Sequence, residues 1–274
     1  MKKDHLFTVL SEGAKSFWRY RNLILQMSKR EVIGRYRGSM MGLFWSFFNP
    51  VLMLAVYTFI FSVVFKARWG DGSGSKTEFA VILFTGLIVH GLFAECVNRA
   101  PNLILSNVNF VKRVVFPLDI LPWVALGSAL FHAAISVGVL LIFFFTLHGF
   151  IHWTALFLPF LVLPLLLLIM GISWFLAATG VYLRDVAQTT GLITTVMLFL
   201  APVFYPITAL PEAYRPLLYL NPLTFIIEEA RNLLIWGKAP DLPGWAIYFA
   251  VSLMAAWAGR WWFQKLRKGF ADVL

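Results

Sequence analysis

The nearest approach to a phosphate-binding loop in this chain is Gly70-Asp-Gly-Ser-Gly-Ser-Lys76-Thr77. Such a loop needs glycine directly before Lys-Ser/Thr, so that backbone N–H groups wrap the phosphates, and a strand in front of it. Here Ser75 stands in the way, and the segment reads instead as a flexible turn over residues 71–75. Nucleotide hydrolysis is therefore not expected of this polypeptide. Proton or sodium coupling would place ionisable groups inside apolar runs. Glu95, Asp119, Arg184 and Asp185 all fall near the ends of such runs, which leaves His90 and His132 as the groups within them. A lone histidine there is expected to hydrogen-bond a neighbouring helix. The single cysteine, Cys96, permits no internal disulfide and fits no metal pattern, so it reads as a small apolar filler. No catalytic residue and no metal site is assigned, and the driving force is expected to come from elsewhere.

The remaining chemistry is that of flat rings. Aromatic residues make up 17% of the chain, and two groups are denser than packing requires. Phe44, Trp45, Phe47 and Phe48, followed by Tyr57, Phe59 and Phe61, form the first; Phe199, Phe204 and Tyr205 form the second. Ring faces are apolar and tyrosine adds a polar tip, a combination that suits the CH-rich faces of sugars. The same rings can form an apolar constriction against ions. Phe44, Phe47, Phe48, Tyr57, Phe59, Phe199, Phe204 and Tyr205 are the candidates for a substrate path.

The elements that must position these rings follow from composition. Only 13% of the residues are charged and 60% are hydrophobic, whereas a soluble domain carries about 25% charged residues. Charge-poor runs predict six membrane spans over residues 40–65, 79–98, 120–147, 154–180, 187–206 and 243–263. The fold class expected is an all-α integral membrane protein. The break between the third and fourth spans is expected at His148-Gly149-Phe150-Ile151-His152-Trp153. Assigning the 23 Lys and Arg to alternate sides puts seventeen on the side of both termini and six on the other, so both termini are expected in the cytoplasm. The net charge of +10 is accounted for in this way, without a nucleic-acid partner. No signal peptide is expected, because no apolar stretch of the right length follows a short basic start.

The organisation expected is a cytoplasmic N-terminus over 1–38, a six-span domain over 39–263 and a cytoplasmic C-terminus over 264–274. Residues 17–37 mix Tyr20, Leu23, Ile24 and Met27 at helical spacing with lysines and arginines, which predicts an amphipathic helix lying in the interface with its apolar face in lipid. Gly34 is expected to weaken this helix and Gly38 to end it. Gly38-Ser39-Met40-Met41-Gly42 is either a close-packing motif or a bend. Residues 99–117 form either an interfacial helix or a docking helix for a cytoplasmic partner. Residues 203–243 are proline-rich yet very apolar, so they are expected to pack on the bundle or dip into the membrane boundary.

Residues 30–50, Arg-Glu-Val-Ile-Gly-Arg-Tyr-Arg-Gly-Ser-Met-Met-Gly-Leu-Phe-Trp-Ser-Phe-Phe-Asn-Pro, resemble the opening of the permeases of bacterial polysaccharide ABC exporters. The run 57–65, residues 109–122, the turn at 181–185, Asn221-Pro222 and Arg231 fit the same family. The wording of the first block is most similar to O-antigen exporter permeases; capsule and teichoic-acid exporters are close relatives. The resemblance implies a homodimer in the bacterial inner membrane, paired with two copies of a cytoplasmic ABC ATPase that binds ATP and Mg. It implies a substrate glycan carried on undecaprenyl diphosphate, a channel lined by the first and fifth spans, and short re-entrant helices after the fifth. It also implies coupling to the ATPase through Arg30, Arg35, Tyr36 and Arg37, and through Arg99, Asn107, Asn109, Lys112 and Arg113. A membrane-embedded enzyme acting on lipid-linked sugars is the rival reading. It needs convergent acids, and Glu95, Asp119 and Asp185 are scattered. A secondary carrier is the third.

Overall fold

The computed structural model describes residues 4–64, 69, 76–112 and 116–274, and every regular element among them is helical. Helix α1 (Asp4–Arg35) precedes α2 (Phe44–Tyr57), which runs on as a π-helical segment, Thr58–Val64. After α3 (Lys76–Arg99) come two 3-10 turns and the short α4 (Val108–Lys112). The long α5 (Leu121–His148) and α6 (Leu158–Tyr182) follow, then α7 (Val186–Leu200), α8 (Arg215–Tyr219), α9 (Pro222–Leu234), α10 (Leu242–Arg267) and α11 (Phe270–Val273).

Among the described residues, five stretches are long and apolar enough to cross a membrane: Phe44–Phe61, Glu78–Asn102, Leu118–His148, Trp153–Tyr182 and Leu242–Arg267. The span expected over 187–206 is shorter than read. Helix α7 has 15 residues, about 22 Å at 1.5 Å per residue, against a hydrocarbon core of about 30 Å. Pro202 and Pro206 explain the early stop, since proline lacks an N–H and biases the residue before it away from helix. Ala201 is accordingly extended. The break after α5 falls where the sequence placed it. Gly149 takes a left-handed φ of 78° and its N–H donates to the Phe145 carbonyl at 2.8 Å.

Gly38 and Gly42 have φ of 86° and 51°, and a Cβ built at either meets nothing within 4 Å. Of the two readings of this pair, the corner between α1 and α2 is the one adopted. Helix α1 itself differs from expectation. It is already helical at Asp4, the first described residue, passes Gly34 without a break and seats its apolar face on protein. Ile24 packs with Ile120 and Val124, the Phe17 ring lies 4.6 Å from Trp123, and the Ser28 hydroxyl donates to the Val124 carbonyl at 3.1 Å. Ile24, Ser28, Val32 and Arg35 form one stripe at three- and four-residue spacing, so α1 runs alongside the first half of α5. Gly127 makes room, since a Cβ there would lie 2.5 Å from the Ser28 hydroxyl oxygen.

Helix α3 is the centre of the bundle: 72% of its most apolar stretch is buried, against 11% for α2. Phe93, Cys96 and Val97 of α3 join Ile169 and Trp174 of α6, Ile226 and Leu233 of α9 and Phe263 of α10 in one core. The closest helix pair is α6 with α10. A Cβ on Gly259 would lie 1.9 Å from the Gly171 carbonyl oxygen, and one on Gly171 would lie 2.4 Å from that of Ala255. Between lipid-soluble helices, such backbone approach supplies packing contact that apolar burial cannot. The described residues of 99–117 form no continuous helix; Ala100, Pro101 and Ile104 are buried, and Pro101 packs against Gly180 of α6.

Candidate functional site

Two regions gather the groups singled out in the sequence. The first is a cleft of about 420 Å³ between α2, α3 and α5, lined by Ser46, Asn49, Tyr57, His90, Glu95 and His132 among others. At one end of it lies a cluster of charges from three helices. Arg35 Nη2–H donates to Glu95 Oε1 at 2.5 Å, and His132 Nδ1 lies 3.3 Å from the same oxygen. Arg35 Nη1 is 3.1 Å from His132 Nδ1, and the Tyr36 hydroxyl is 3.3 Å from His132 Nε2. Arg99 pairs with Glu31 and sits 3.8 Å from Glu95. Burial holds the Tyr36 phenol above its ordinary pKa, with the neighbouring Arg35 guanidinium pulling the other way.

Each carboxylate in this cluster is matched to a guanidinium, so the group is arranged as a clamp rather than as an acid–base pair. Glu31 and Arg35 come from α1, Glu95 and Arg99 from α3, and His132 from α5. The clamp joins the amphipathic helix to the central helix of the bundle. His90 has a different task. Its Nε2–H donates to the Thr194 carbonyl of α7 at 2.9 Å, and the Thr194 hydroxyl donates to Asn98 Oδ1 at 3.0 Å.

The coupling candidates divide. Arg30, Arg99 and Asn107 line a second, wider cleft of about 600 Å³ between α1, the end of α3 and the 3-10 turns. Arg35, Tyr36 and Arg99 belong to the charge cluster. Asn107 donates to the Leu103 carbonyl at 2.9 Å and so braces its own turn. Arg37 and Asn109 are exposed. The Lys112 side chain and Arg113 lie outside the described residues, as does the turn over 71–75.

The aromatic candidates also divide. At the far end of the bundle from the charge cluster, Tyr57 stands 6.5 Å from Phe61, Phe61 stacks on Phe204 at 6.3 Å, and Phe204 stacks on Phe199 at 5.7 Å. Tyr205 donates to the Phe199 carbonyl at 2.9 Å. This cluster bridges the ends of α2 and α7. The π-helical segment places Phe61 there, and such segments recur where a helix must present a side chain out of register. Phe47 and Phe59 instead line an apolar groove against α5, with Val139 and Phe143. Phe44 and Phe48 stack on each other at 6.1 Å near the start of α2.

Arg231 of α9 is completely buried and bonds to backbone on both sides of the cluster. Asn221 ties the same region together. Its side-chain oxygen caps α9 by accepting from Leu223 N–H at 3.0 Å, while its amide donates to the Met197 carbonyl of α7 at 2.8 Å. A second charged pair, Arg260 Nη1 to Asp119 Oδ2 at 3.2 Å, is buried between α10 and the start of α5. Sequence reasoning missed Glu31 and Glu95 as partners of the arginines. Helical spacing puts Glu31 with Arg35 and Glu95 with Arg99, each four apart on one helix, whereas the closest pairs run between helices, Arg35 with Glu95 and Arg99 with Glu31.

The sequence profile of the ABC-2 type transporter family matches residues 22–235. The chain is 26% identical over 262 residues to the O-antigen export system permease protein RfbA of Myxococcus xanthus, covering 95% of this chain and 98% of that one. It is 24% identical over 255 residues to the RfbA permease of Klebsiella pneumoniae, covering 92% and 95%. It is also 25% identical over 209 residues to the polysialic acid transport protein KpsM of Escherichia coli, covering 76% and 79%. The chain belongs to the ABC-2 type transporter family and is a multi-pass membrane protein.

Proposed function

We propose that the chain is the permease subunit of an ATP-driven exporter that moves a polysaccharide, O-antigen linked to undecaprenyl diphosphate, across the bacterial inner membrane. End-to-end similarity to O-antigen export permeases carries this reading. The chain works as a homodimer with two copies of a separate cytoplasmic ABC ATPase, and ATP and Mg belong to that partner. Six passes with both termini in the cytoplasm follow if α7 and the irregular residues after it complete the fifth crossing, with α8 and α9 as short re-entrant helices beyond it. The charge cluster then lies toward the cytoplasm and the aromatic cluster toward the outside. Helices α2 and α7 expose Phe44, Phe47, Phe199 and Leu200, so they are the faces on which two copies would form a path.

Two of the three acids of the rival enzyme reading are committed to ion pairs, Glu95 with Arg35 and Asp119 with Arg260. Export of capsular polysaccharide is the second reading, motivated by the KpsM similarity over a shorter stretch; teichoic acid is a third substrate. The test is deletion of the gene in its own host. Loss of surface O-antigen with lipid-linked glycan accumulating inside, restored by the wild-type chain, is the expected result. Unchanged surface O-antigen with loss of capsule would select the second reading, and loss of neither would refute the export role.

A further inference from the structure

Arg231 is the largest fully buried side chain in the protein's described residues, and its partners lie on four separate pieces of chain. Nε–H donates to the Ile82 carbonyl of α3 at 3.1 Å. Nη1–H donates to the Pro202 carbonyl at 2.6 Å and to Glu228 Oε1 at 2.8 Å, and Nη2–H donates to the Val203 carbonyl at 3.0 Å. The Trp69 ring lies under the guanidinium at 4.5 Å. Pro202 and Val203 sit beyond the end of α7, where no helical ladder supplies N–H donors to their carbonyls. Only the planar five-donor fork of arginine can serve several such acceptors at once.

These bonds end next to the rings. Phe204 follows Val203 and stacks on Phe199 and Phe61, Phe61 stacks on Phe79 at 5.5 Å, and Phe79 stands 5.7 Å from Trp69. We infer that Arg231 is the positioning residue of this aromatic cluster: it fixes the backbone before Phe204 against α3, so that the ring of Phe204 meets that of Phe61. Arg231 touches no path itself and acts through Pro202 and Val203. Gly86 is part of the device, because a Cβ there would stand 3.1 Å from Arg231 Nη2 and 3.3 Å from the Val203 side chain. That the rings close a substrate path rests on the export reading; their placement by Arg231 does not.

The experiment uses the full-length chain in native membranes, with Cys96 replaced by serine and a cysteine pair introduced by Phe61→Cys and Phe204→Cys. Cross-linking by a short bismaleimide reads the separation of the two positions. Arg231→Met, which keeps volume and removes all donors, is expected to cut the yield about fivefold, the worth of about one net hydrogen bond. Arg231→Lys, with donors but no fork, is expected to fall between. Gly86→Ala keeps the arginine and pushes it, so it lowers the yield even if Arg231→Met fails to fold. Unchanged cross-linking in Gly86→Ala and in folded Arg231→Met overturns the inference. A separate arm keeps all rings and follows proton leak in liposomes holding the chain. Cross-linking lost without any leak supports the placement and counts against the path reading alone.

Discussion

Neutralising Glu95 tests whether the charge cluster is one unit. Glu95 Oε1 lies 2.5 Å from Arg35 and 3.8 Å from Arg99, with His132 at 3.3 Å. Bare Coulomb attraction for the Arg35 pair is about 7 kcal/mol at an effective dielectric near 20. Most of that is lost to water, because the Arg35 side chain is 41% exposed and that of Glu95 is 20% exposed. A coupling of about 2 kcal/mol lies between exposed pairs at about 1 and buried pairs at about 3 or more. Glu95→Gln is expected to cost more than Arg35→Gln, because one carboxylate serves two guanidinium groups while Arg99 keeps Glu31. The assay is a double-mutant cycle on Glu95→Gln and Arg35→Gln, read by thermal unfolding of the detergent-purified chain. About 2 kcal/mol corresponds to a midpoint shift of about 4 °C for a chain of this size. The double mutant should sit well above the sum of the singles. Additive single effects, or a costlier Arg35→Gln, would refute the clamp.

Gly259→Val should abolish the folded chain, because the new side chain would enter the Gly171 carbonyl; a monodisperse size-exclusion peak for this variant would contradict the packing. Asn221→Ala should cost about 1 kcal/mol through the lost cap of α9, plus the Met197 bond, whereas Asn221→Asp should keep the cap and lose only the bond to α7. Asp119→Asn should destabilise by about 3 kcal/mol by removing the buried carboxylate that pairs with Arg260 at 3.2 Å. Both comparisons are read from unfolding midpoints in the same detergent.

The apolar runs made the long helices legible, because a chain this poor in charge has few other ways to bury itself. The limits of α5 were equally plain, since His148-Gly149 breaks a run that has no other interruption. The path of α7 was less so. Hydropathy continues smoothly to residue 206, and the prolines decide where hydrogen bonding stops. The seat of α1 was hidden for another reason. An amphipathic stripe of Ile24, Ser28 and Val32 looks the same whether it faces lipid or a neighbouring helix, and only the complementary Gly127 and Val124 settle which. The arginines were visible as charges and not as clamps, because their partners are 60 or more residues away in the cases of Arg35 with Glu95 and Arg231 with Ile82. The aromatic set was legible as a composition. Its division between the α2–α7 cluster and the α5 groove depends on the π-helical register of Thr58–Val64, which no local pattern announces.

The backbone contact between α6 and α10 has a mechanical consequence. Two rods touching main chain to main chain at Gly171 and Gly259 cannot slide or tilt without collision. They behave as a rigid spine, and any working stroke in this molecule is confined to the opposite flank. There α2 is held by few neighbours, and α7 is tethered through His90, Asn221 and the arginine beyond its end.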